Sequence, residues 1–202
     1  MQQGHLFVFS GPSGVGKGTI CNELVKCGDA LLSVSMTTRA PRSGEIEGES
    51  YYFVSREEFD KTVENGGLLE HCEIYGNCYG TPKGPVLEQL KKGKDVILEI
   101  EMQGAMQVKK NYPDAVLVFV LPPSLEVLKE RLLKRGTESE EQLHTRLMSA
   151  ADEIEKLRDY DFYVVNGDLQ EAVAQSECIM KAFRTKIGSE CEDLVKQYKE
   201  EM

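Results

Sequence analysis

The sequence has no apolar run long enough to cross a membrane, no Cys-x-x-Cys pair and no excess of basic residues. Its six cysteines also have no histidine nearby at the spacing of a zinc site. We therefore expect reduced thiols in a cytoplasmic protein without a signal peptide or a membrane contact. The formal net charge of −10 argues against a general nucleic-acid binder, whose surface would be basic. An anionic ligand would have to be bound by individually placed cations.

The chain also lacks internal repeats and low-complexity segments, and its 202 residues fit one domain with small insertions. Apolar segments at 96–100 and 115–121 predict buried strands, and helical patterns alternate with them. Strands that are apolar throughout indicate a parallel sheet covered on both faces, which is an α/β fold. The predicted division is a core of residues 1–33, 84–124 and 151–202, a β-rich insert of residues 34–83, and a helical pair of residues 125–150.

One stretch near the start, LFVFSGPSGVGKGT, has the pattern of a phosphate-binding loop. An apolar run predicts a buried strand, a glycine-rich turn follows, and a helical pattern comes next. Glycines let several backbone N–H groups face one anion, and the helix N-terminus adds a positive dipole end. The side chain of Lys17 then supplies a point charge for the outer phosphates. The predicted phosphate loop comprises Gly11, Pro12, Ser13, Gly14, Val15, Gly16, Lys17, Gly18 and Thr19.

Position 18 departs from the usual phosphate-loop motif, which has serine or threonine there with its hydroxyl on Mg²⁺. The next hydroxyl belongs to Thr19. We expect Mg²⁺ to be bound chiefly through ATP phosphates and water, of which it keeps several in such sites. We therefore assign no protein residue as a metal ligand, although Glu99 or Glu101 could support the hydrated ion.

Two arginines in a loop after a predicted strand, Arg39 and Arg42, are candidates for binding a second phosphate. Guanidinium groups fix the orientation of a phosphate through bidentate contacts. Tyr51 and Tyr79 could donate hydroxyl hydrogens to the same phosphate. The alternatives are solvated surface charges for the arginines and simple packing for the tyrosines.

A second group of arginines lies on the predicted helical pair. Arg131 and Arg135 are four residues apart and share one helix face, and Arg146 lies on the next helix. Either they are ordinary surface charges, or they form a lid that places cations over a transferring phosphate.

Two carboxylates, Glu99 and Glu101, end a strand beside the predicted position of the phosphate-loop strand. A carboxylate buried there would be costly unless it met a hydrated metal, a ligand or a hydrogen-bond donor. This favours a functional role for both residues.

Several longer motifs resemble the guanylate kinase family between residue 5 and about residue 185. They are GPSGVGKGT, SVSMTTRAPRSGE, YYFVS, the LLE of residues 68–70, YGNCYGTP, ILEIEMQGA and RLLKRGTESEEQLHTRL. The resemblance implies a P-loop NTPase core with a parallel sheet flanked by helices, a β-rich insert that binds the nucleoside monophosphate, and a helical lid. It implies a GMP site of Ser35, Arg39, Arg42, Tyr51, Glu70, Tyr79, Thr81, Glu99 and Glu101. It also implies that Lys17, Arg39, Arg131, Arg135 and Arg146 are catalytic, and that Asn166 contacts the adenine end of ATP.

The activity implied by the resemblance is transfer of the ATP γ-phosphoryl group to GMP, in purine nucleotide metabolism and GMP recycling. Glu70 would accept two hydrogen bonds from guanine, and Ser35 or Thr81 would donate to the guanine carbonyl. The alternative for Glu70 is a surface carboxylate. Two other functions stay open: another nucleoside monophosphate kinase, or a non-catalytic guanylate-kinase-like module that binds a peptide. Such modules have typically lost phosphate-loop or GMP-site residues that this chain retains.

Overall fold

The computed structural model describes residues 3–28, 30–74, 76–134, 140–187 and 191–201, without the side chains of residues 140–142 and 193–194. The strands in these ranges are β1 (Leu6–Ser10), β2 (Ala30–Leu32), β3 (Met36–Thr37), β4 (Tyr52–Phe53), β5 (Leu68–Ile74), β6 (Asn77–Pro82), β7 (Asp95–Glu99), β8 (Val116–Leu121) and β9 (Phe162–Val165). The helices are α1 (Lys17–Lys26), α2 (Arg56–Glu64), α3 (Lys83–Lys91), α4 (Met102–Asn111), α5 (Leu125–Lys134), α6 (Glu140–Glu155), α7 (Leu169–Arg184) and α8 (Cys191–Glu200), with a short 3-10 helix at Lys156–Asp159.

The main sheet has five strands in the order β2-β7-β1-β8-β9, and all of them run parallel. Its central strand is β1, whose five residues are all buried. In the register of the sheet Phe9 lies beside Glu99 of β7, and Ser10 lies beside Phe119 of β8. The phosphate loop therefore leaves the middle of the sheet, with the end of β7 on one side and β8 on the other.

Apolar residues cover both faces of this sheet. Alternate residues of β1 point to opposite faces, so Phe7 and Phe9 join one core cluster while Leu6 and Val8 join the other. Helices α1, α5 and α7 contribute to the first cluster, and α3 and α4 contribute to the second. Each fully buried large apolar side chain stabilises the fold by about 1.5–3 kcal/mol relative to exposure. The predicted α/β fold with a covered parallel sheet is confirmed.

A smaller sheet of four strands, in the order β4-β3-β6-β5, lies within the predicted insert. Strand β3 is parallel to β4 and antiparallel to β6, and β5 and β6 form an antiparallel pair. Phe59, Leu68 and Cys78 form its own small core. The boundaries at residues 34 and 83 stay a prediction.

Helix α2 begins at the capping motif that the sequence contains. The Ser55 hydroxyl accepts a hydrogen bond of 3.1 Å from the backbone N–H of Glu58, which satisfies one of the free donors of the first turn.

The predicted helical pair corresponds to α5 and the first part of α6. Leu128 and Leu132 of α5 and Leu143 and Ala150 of α6 are buried in the core cluster that α1 and α7 share. The pair is therefore packed on the core in this structure. Helix α6 continues to Glu155, beyond the boundary predicted at residue 150, and the division stays a prediction.

All six cysteines are unpaired, as expected for reduced thiols. Burial raises the pKa of the Cys21 thiol well above its ordinary range, which keeps that thiol unreactive. Among the described residues no helix has the length and apolar character needed to span a membrane.

Candidate active site

The phosphate loop adopts backbone conformations that favour glycine at two decisive positions. Gly16, just before α1, has φ 93°, and Gly11, just after β1, has φ 138°. A Cβ atom at Gly11 would lie 2.4 Å from the backbone oxygen of Val120, so a side chain there would collide with β8. The glycines thus let the loop turn closely around the end of β1 and enter α1, whose N-terminus is suited to bind an anion.

Lys17 is the first residue of α1, and its side chain folds back over the loop. Its Nζ atom donates to the backbone oxygen of Gly11 at 2.6 Å and to that of Pro12 at 3.2 Å. Only 8% of the residue is exposed. The ammonium group is thereby held at the mouth of the loop, where a phosphate oxygen could exchange with one of these carbonyl groups.

Arg131 and Asn166 both attach to Val15, which lies inside the loop. The Asn166 amide donates to the Val15 carbonyl at 2.7 Å. Arg131 donates to the same carbonyl at 3.3 Å and to the backbone oxygen of Asn166 at 2.8 Å. The buried Asn166 amide nitrogen supports the phosphate loop from within, and the contact of Asn166 with the adenine end of ATP stays a prediction.

Of the other two predicted lid arginines, Arg146 and Arg135, the structure describes only Arg146. Arg146 of α6 approaches the loop, with its guanidinium 3.5 Å from the hydroxyl oxygen of Ser13. Arg135 lies outside the described residues. Helices α5 and α6 therefore each direct one described arginine toward the phosphate loop.

The Glu99 carboxylate lies against Gly18, where the usual motif has a hydroxyl side chain. Its two oxygen atoms are 3.0 and 3.1 Å from the position that a Cβ atom of residue 18 would take. Partial desolvation raises the pKa of Glu99, the nearby Lys17 charge opposes that rise, and Glu101 adds to it. Mg²⁺ prefers oxygen ligands, so this carboxylate fits a hydrated ion bound with ATP, whereas Thr19 is exposed.

The expected burial cost of these carboxylates is reduced, because partial desolvation still raises the pKa of Glu99 while its side chain reaches solvent. Strand β7 is buried only as far as Leu98, and both Glu99 and Glu101 are exposed at the open end of the sheet. Glu101 is instead the residue that precedes the first turn of α4.

A serine at position 18 is expected to be tolerated, because the atoms that it would meet are the carboxylate at the far end of the Glu99 side chain. The matched control is Gly16→Ser, whose Cβ would lie 2.4 Å from the Asn166 amide nitrogen at a positive φ. We expect the control to lose about 1–3 kcal/mol of unfolding free energy and Gly18→Ser to lose much less. Thermal unfolding of the two variants measures the difference. Equal losses would show that Glu99 cannot move aside.

A second polar cluster lies on the small sheet. The Arg39 guanidinium forms two hydrogen bonds to the Glu45 carboxylate, at 2.8 and 3.0 Å, and lies 5.5 Å from the centre of the Tyr51 ring. The Tyr51 and Tyr79 rings are in edge contact, with 6.1 Å between their centres. Three of the four predicted acceptor-phosphate residues are thus brought together. The fourth, Arg42, is exposed and has no described side-chain partner in the structure.

Glu45 is a member of this cluster that the sequence reasoning missed. Its carboxylate also accepts a 2.7 Å hydrogen bond from the backbone N–H of Arg42, and the hydrogen bonds from Arg39 lower its pKa. The only signal was an acidic residue three positions after Arg42. A bidentate arginine–carboxylate pair has the geometry that an arginine–phosphate pair needs.

Glu70 is buried, with 4% of the residue exposed, so the alternative of a surface carboxylate is wrong. The Thr81 hydroxyl donates to its Oε1 atom at 2.6 Å. Burial raises the pKa of Glu70, and the hydroxyl and the backbone N–H of Thr81 oppose that rise. A Cβ atom at Gly104 of α4 would lie 2.8 Å from Oε2, so that glycine leaves the space which this oxygen occupies.

In this structure the Thr81 hydroxyl hydrogen is directed at Glu70. Ser35 is half-buried at the start of the small sheet. Donation to a guanine carbonyl by Ser35 or Thr81 stays a prediction.

These features together define a P-loop kinase. The glycine loop leaves the centre of a parallel sheet, the next helix begins at the loop lysine, and arginines are directed at the loop. The guanylate kinase family model matches residues 3–183. The chain belongs to the guanylate kinase family and is an ATP:GMP phosphotransferase.

The relatives are similar over nearly the whole chain. The guanylate kinase of Clostridium tetani is 52% identical over 93% of this chain and 90% of its own length. That of Clostridioides difficile is 47% identical over 100% of this chain and 99% of its own.

Two solved structures are also similar. The crystal structure of guanylate kinase from Anaplasma phagocytophilum superposes with a TM-score of 0.77 at 35% identity, covering 96% of this chain and 95% of that one. A gluconokinase from Sinorhizobium meliloti, at 17% identity and a TM-score of 0.50 over 97% of this chain and 98% of its own, shares the fold alone.

Proposed function

We propose that the small sheet binds GMP with Glu70 as the group that reads the base, while the phosphate loop binds ATP. The observation that carries this proposal is the buried Glu70 carboxylate, of which Thr81 holds one oxygen. Guanine presents a ring N–H and an exocyclic amine side by side, and one carboxylate can accept both. Adenine would turn an unprotonated ring nitrogen toward the same charge, leaving it buried and unpaired. Ser35 then donates to the guanine carbonyl.

The GMP phosphate is bound by Arg39, Arg42, Tyr51 and Tyr79 in this proposal. The Arg39 guanidinium already forms two parallel hydrogen bonds to the Glu45 carboxylate. A phosphate has the geometry to accept the same two bonds. GMP binding replaces one contact of Arg39 with Glu45 by a contact with phosphate. The two tyrosine hydroxyls donate to the remaining phosphate oxygens.

The chemical step is direct transfer of the γ-phosphoryl group to a phosphate oxygen of GMP, giving ADP and GDP. That oxygen is already anionic, so the enzyme needs no general base. The protein aligns the two nucleotides and neutralises charge with Lys17, Arg39, Arg131, Arg135 and Arg146. Bound Mg²⁺ supplies further positive charge to the ATP phosphates, and Glu99 with Glu101 would hold its hydration shell. Closure of residues 125–150 over the site excludes water that would otherwise hydrolyse ATP.

We place this reaction in purine nucleotide metabolism and GMP recycling in the cytoplasm. Six unpaired thiols fit a reducing compartment.

A coupled assay of ADP formation with GMP, AMP, CMP and UMP tests the proposal. We expect turnover with GMP and turnover near background with the other three. Comparable rates with AMP would show that the buried carboxylate does not select the base.

Replacing Arg146 with alanine is expected to lower kcat at least about tenfold while the KM for GMP changes little. The reason is that Arg146 approaches the phosphate loop and not the small sheet. Lys129→Ala is the matched control, because Lys129 is an exposed cation on α5. Steady-state kinetics separate the two parameters. A raised KM for GMP with an unchanged kcat would assign Arg146 to substrate binding.

A further inference from the structure

Strand β5 has a β-bulge at Glu70. The register of β5 on β6 shifts between Leu68 and His71, where two residues, Leu69 and Glu70, lie opposite one residue, Thr81. A bulge of this kind adds one residue to a strand, bends the strand and re-aims a side chain. The direction of the Glu70 side chain is therefore a property of the bulge.

The neighbours of Glu70 show how far its side chain has turned. Leu68 belongs to the small core of the four-stranded sheet, and Leu69 belongs to the main-core cluster that includes Ala105 of α4. Regular alternation along β5 would direct Glu70 to the side of Leu68. The Glu70 carboxylate instead lies against α4, where a Cβ atom at Gly104 would be 2.8 Å from Oε2.

Two amide side chains of α4 hold the backbone of β5 on either side of Glu70. Strand β5 is an edge strand of the small sheet, so its outer N–H and C=O groups face away from β6. The Gln107 amide accepts from the backbone N–H of His71 at 3.1 Å and donates to the backbone oxygen of the same residue at 2.9 Å. The Asn111 amide donates to the backbone oxygen of Leu69 at 2.8 Å. The residues immediately before and after Glu70 are thus both attached to α4.

Helix α4 presents these groups on one face. Gly104, Gln107 and Asn111 are three and four residues apart, which is the spacing of neighbours along one side of a helix. The helix is itself fixed on the main sheet by Ala105 and Val108, which are buried in the core cluster. The core of the enzyme therefore determines where the bulge lies.

We propose that Gln107 and Asn111 are positioning residues for base recognition, which fix the bulge in β5 and so direct the Glu70 carboxylate at guanine. They act through Glu70 and do not touch the nucleotide. The carboxylate has to meet two donors of guanine at once, and hydrogen bonds weaken steeply when their angles are poor. A β5 backbone released from α4 would let one of the two bonds weaken. The inference rests on the base-reading role proposed above for Glu70.

Two variants test the attachment of β5 to α4. Gln107→Met removes both contacts to His71 and keeps the length and the helix preference of the side chain. Asn111→Ala removes a single contact and decides the test if Gln107→Met does not fold. The matched controls are Gln175→Met on α7 and Lys110→Ala on α4, because both residues are exposed.

The readout is kcat and KM for GMP and for inosine monophosphate, which lacks the exocyclic amine of guanine. Only folded enzyme turns over, so partial unfolding lowers the activity with both nucleotides by the same factor. That factor cancels in the ratio of the two kcat/KM values. The ratio therefore reports how the base is read and is insensitive to a loss of stability alone.

We expect Gln107→Met and Asn111→Ala each to lower the preference for GMP over inosine monophosphate by about threefold or more, as for weakening one hydrogen bond to a charged group. The KM for GMP should rise while kcat stays within about twofold, because the groups around the phosphate loop are unchanged. The two controls should keep the wild-type preference. An unchanged preference in folded Gln107→Met would overturn the proposal, and so would an unchanged preference in Asn111→Ala if Gln107→Met does not fold.

The double variant Glu70→Gln/Gln107→Met tests whether Gln107 acts through Glu70. Its preference for GMP over inosine monophosphate should equal that of Glu70→Gln alone. A further decrease would overturn the proposal, because Gln107 would then act on the base by another route. Failure of the proposed function is visible in the wild type, which would show no preference for GMP and would refute base reading by Glu70 itself. Failure of the present inference alone would leave the wild-type preference in place.

Discussion

Alanine at position 17 is expected to lower kcat by about a hundredfold or more, the scale of losing one preorganised charge contact in an active site. The Lys17 ammonium group is held at the mouth of the phosphate loop by the carbonyl groups of Gly11 and Pro12. It is therefore in place before the transferring phosphoryl group develops its charge. Steady-state turnover with saturating ATP and GMP measures the loss.

Lys26→Ala is the control for this experiment. Lys26 lies on the same helix, and its ion pair with Glu23 is exposed, so its removal should leave kcat unchanged. Circular dichroism verifies that both variants are folded. Near-normal turnover of folded Lys17→Ala would contradict the assignment of Lys17 to the phosphoryl group.

Glutamine at position 70 is expected to remove most GMP activity and to narrow the discrimination against AMP. A site built on paired polar groups rejects the wrong partner by ~10⁴ or more, because unmatched groups lose water without replacement. Guanine offers two N–H donors, and the carboxylate of Glu70 can accept both. The glutamine amide cannot accept both, so the advantage of GMP over AMP is lost. The values of kcat/KM for GMP and AMP measure the change.

The matched control is Glu73→Gln on the same strand. Glu73 is exposed and pairs with Arg56, so its charge is remote from the Glu70–Thr81 pair. It should keep the GMP/AMP ratio of the wild type. A wild-type ratio in Glu70→Gln would show that another group reads the base.

The elements that local sequence determines were predictable. The apolar residues of β1 followed by glycines and Lys17 predict a strand, a loop and a helix, because each signal spans a few neighbouring residues. The caps at Ser55 of α2 and Asp168 of α7 are local in the same sense, because each side chain accepts from a backbone N–H two or three residues further on. The alternation of apolar strands with helices predicted the parallel sheet, which needs no knowledge of individual contacts.

The contacts that form the site join residues that are distant in the chain, and the sequence pattern does not show them. Thr81 donates to Glu70 because β5 and β6 are paired, and Gly104 leaves space for the other oxygen because α4 packs on β5. Neither fact follows from the residue types alone. The same holds for Asn166, whose amide bonds to Val15 across 151 positions of sequence.

The exposure of Glu99 is a further feature that the sequence pattern does not show. Its apolar neighbours in β7 suggest burial, yet the strand ends there at the open edge of the sheet. Only the position of that edge decides whether the carboxylate meets water.

Comparing GMP with inosine monophosphate tests most directly the claim that Glu70 reads the base. The two nucleotides differ only in the exocyclic amine, which is one of the two hydrogen-bond donors that we assign to Glu70. We predict that the wild type prefers GMP by about tenfold to a hundredfold in kcat/KM, the worth of one hydrogen bond to a charged group. In Glu70→Gln the values of kcat/KM for GMP and inosine monophosphate should be nearly equal. The same preference in the wild type and in Glu70→Gln would contradict the account.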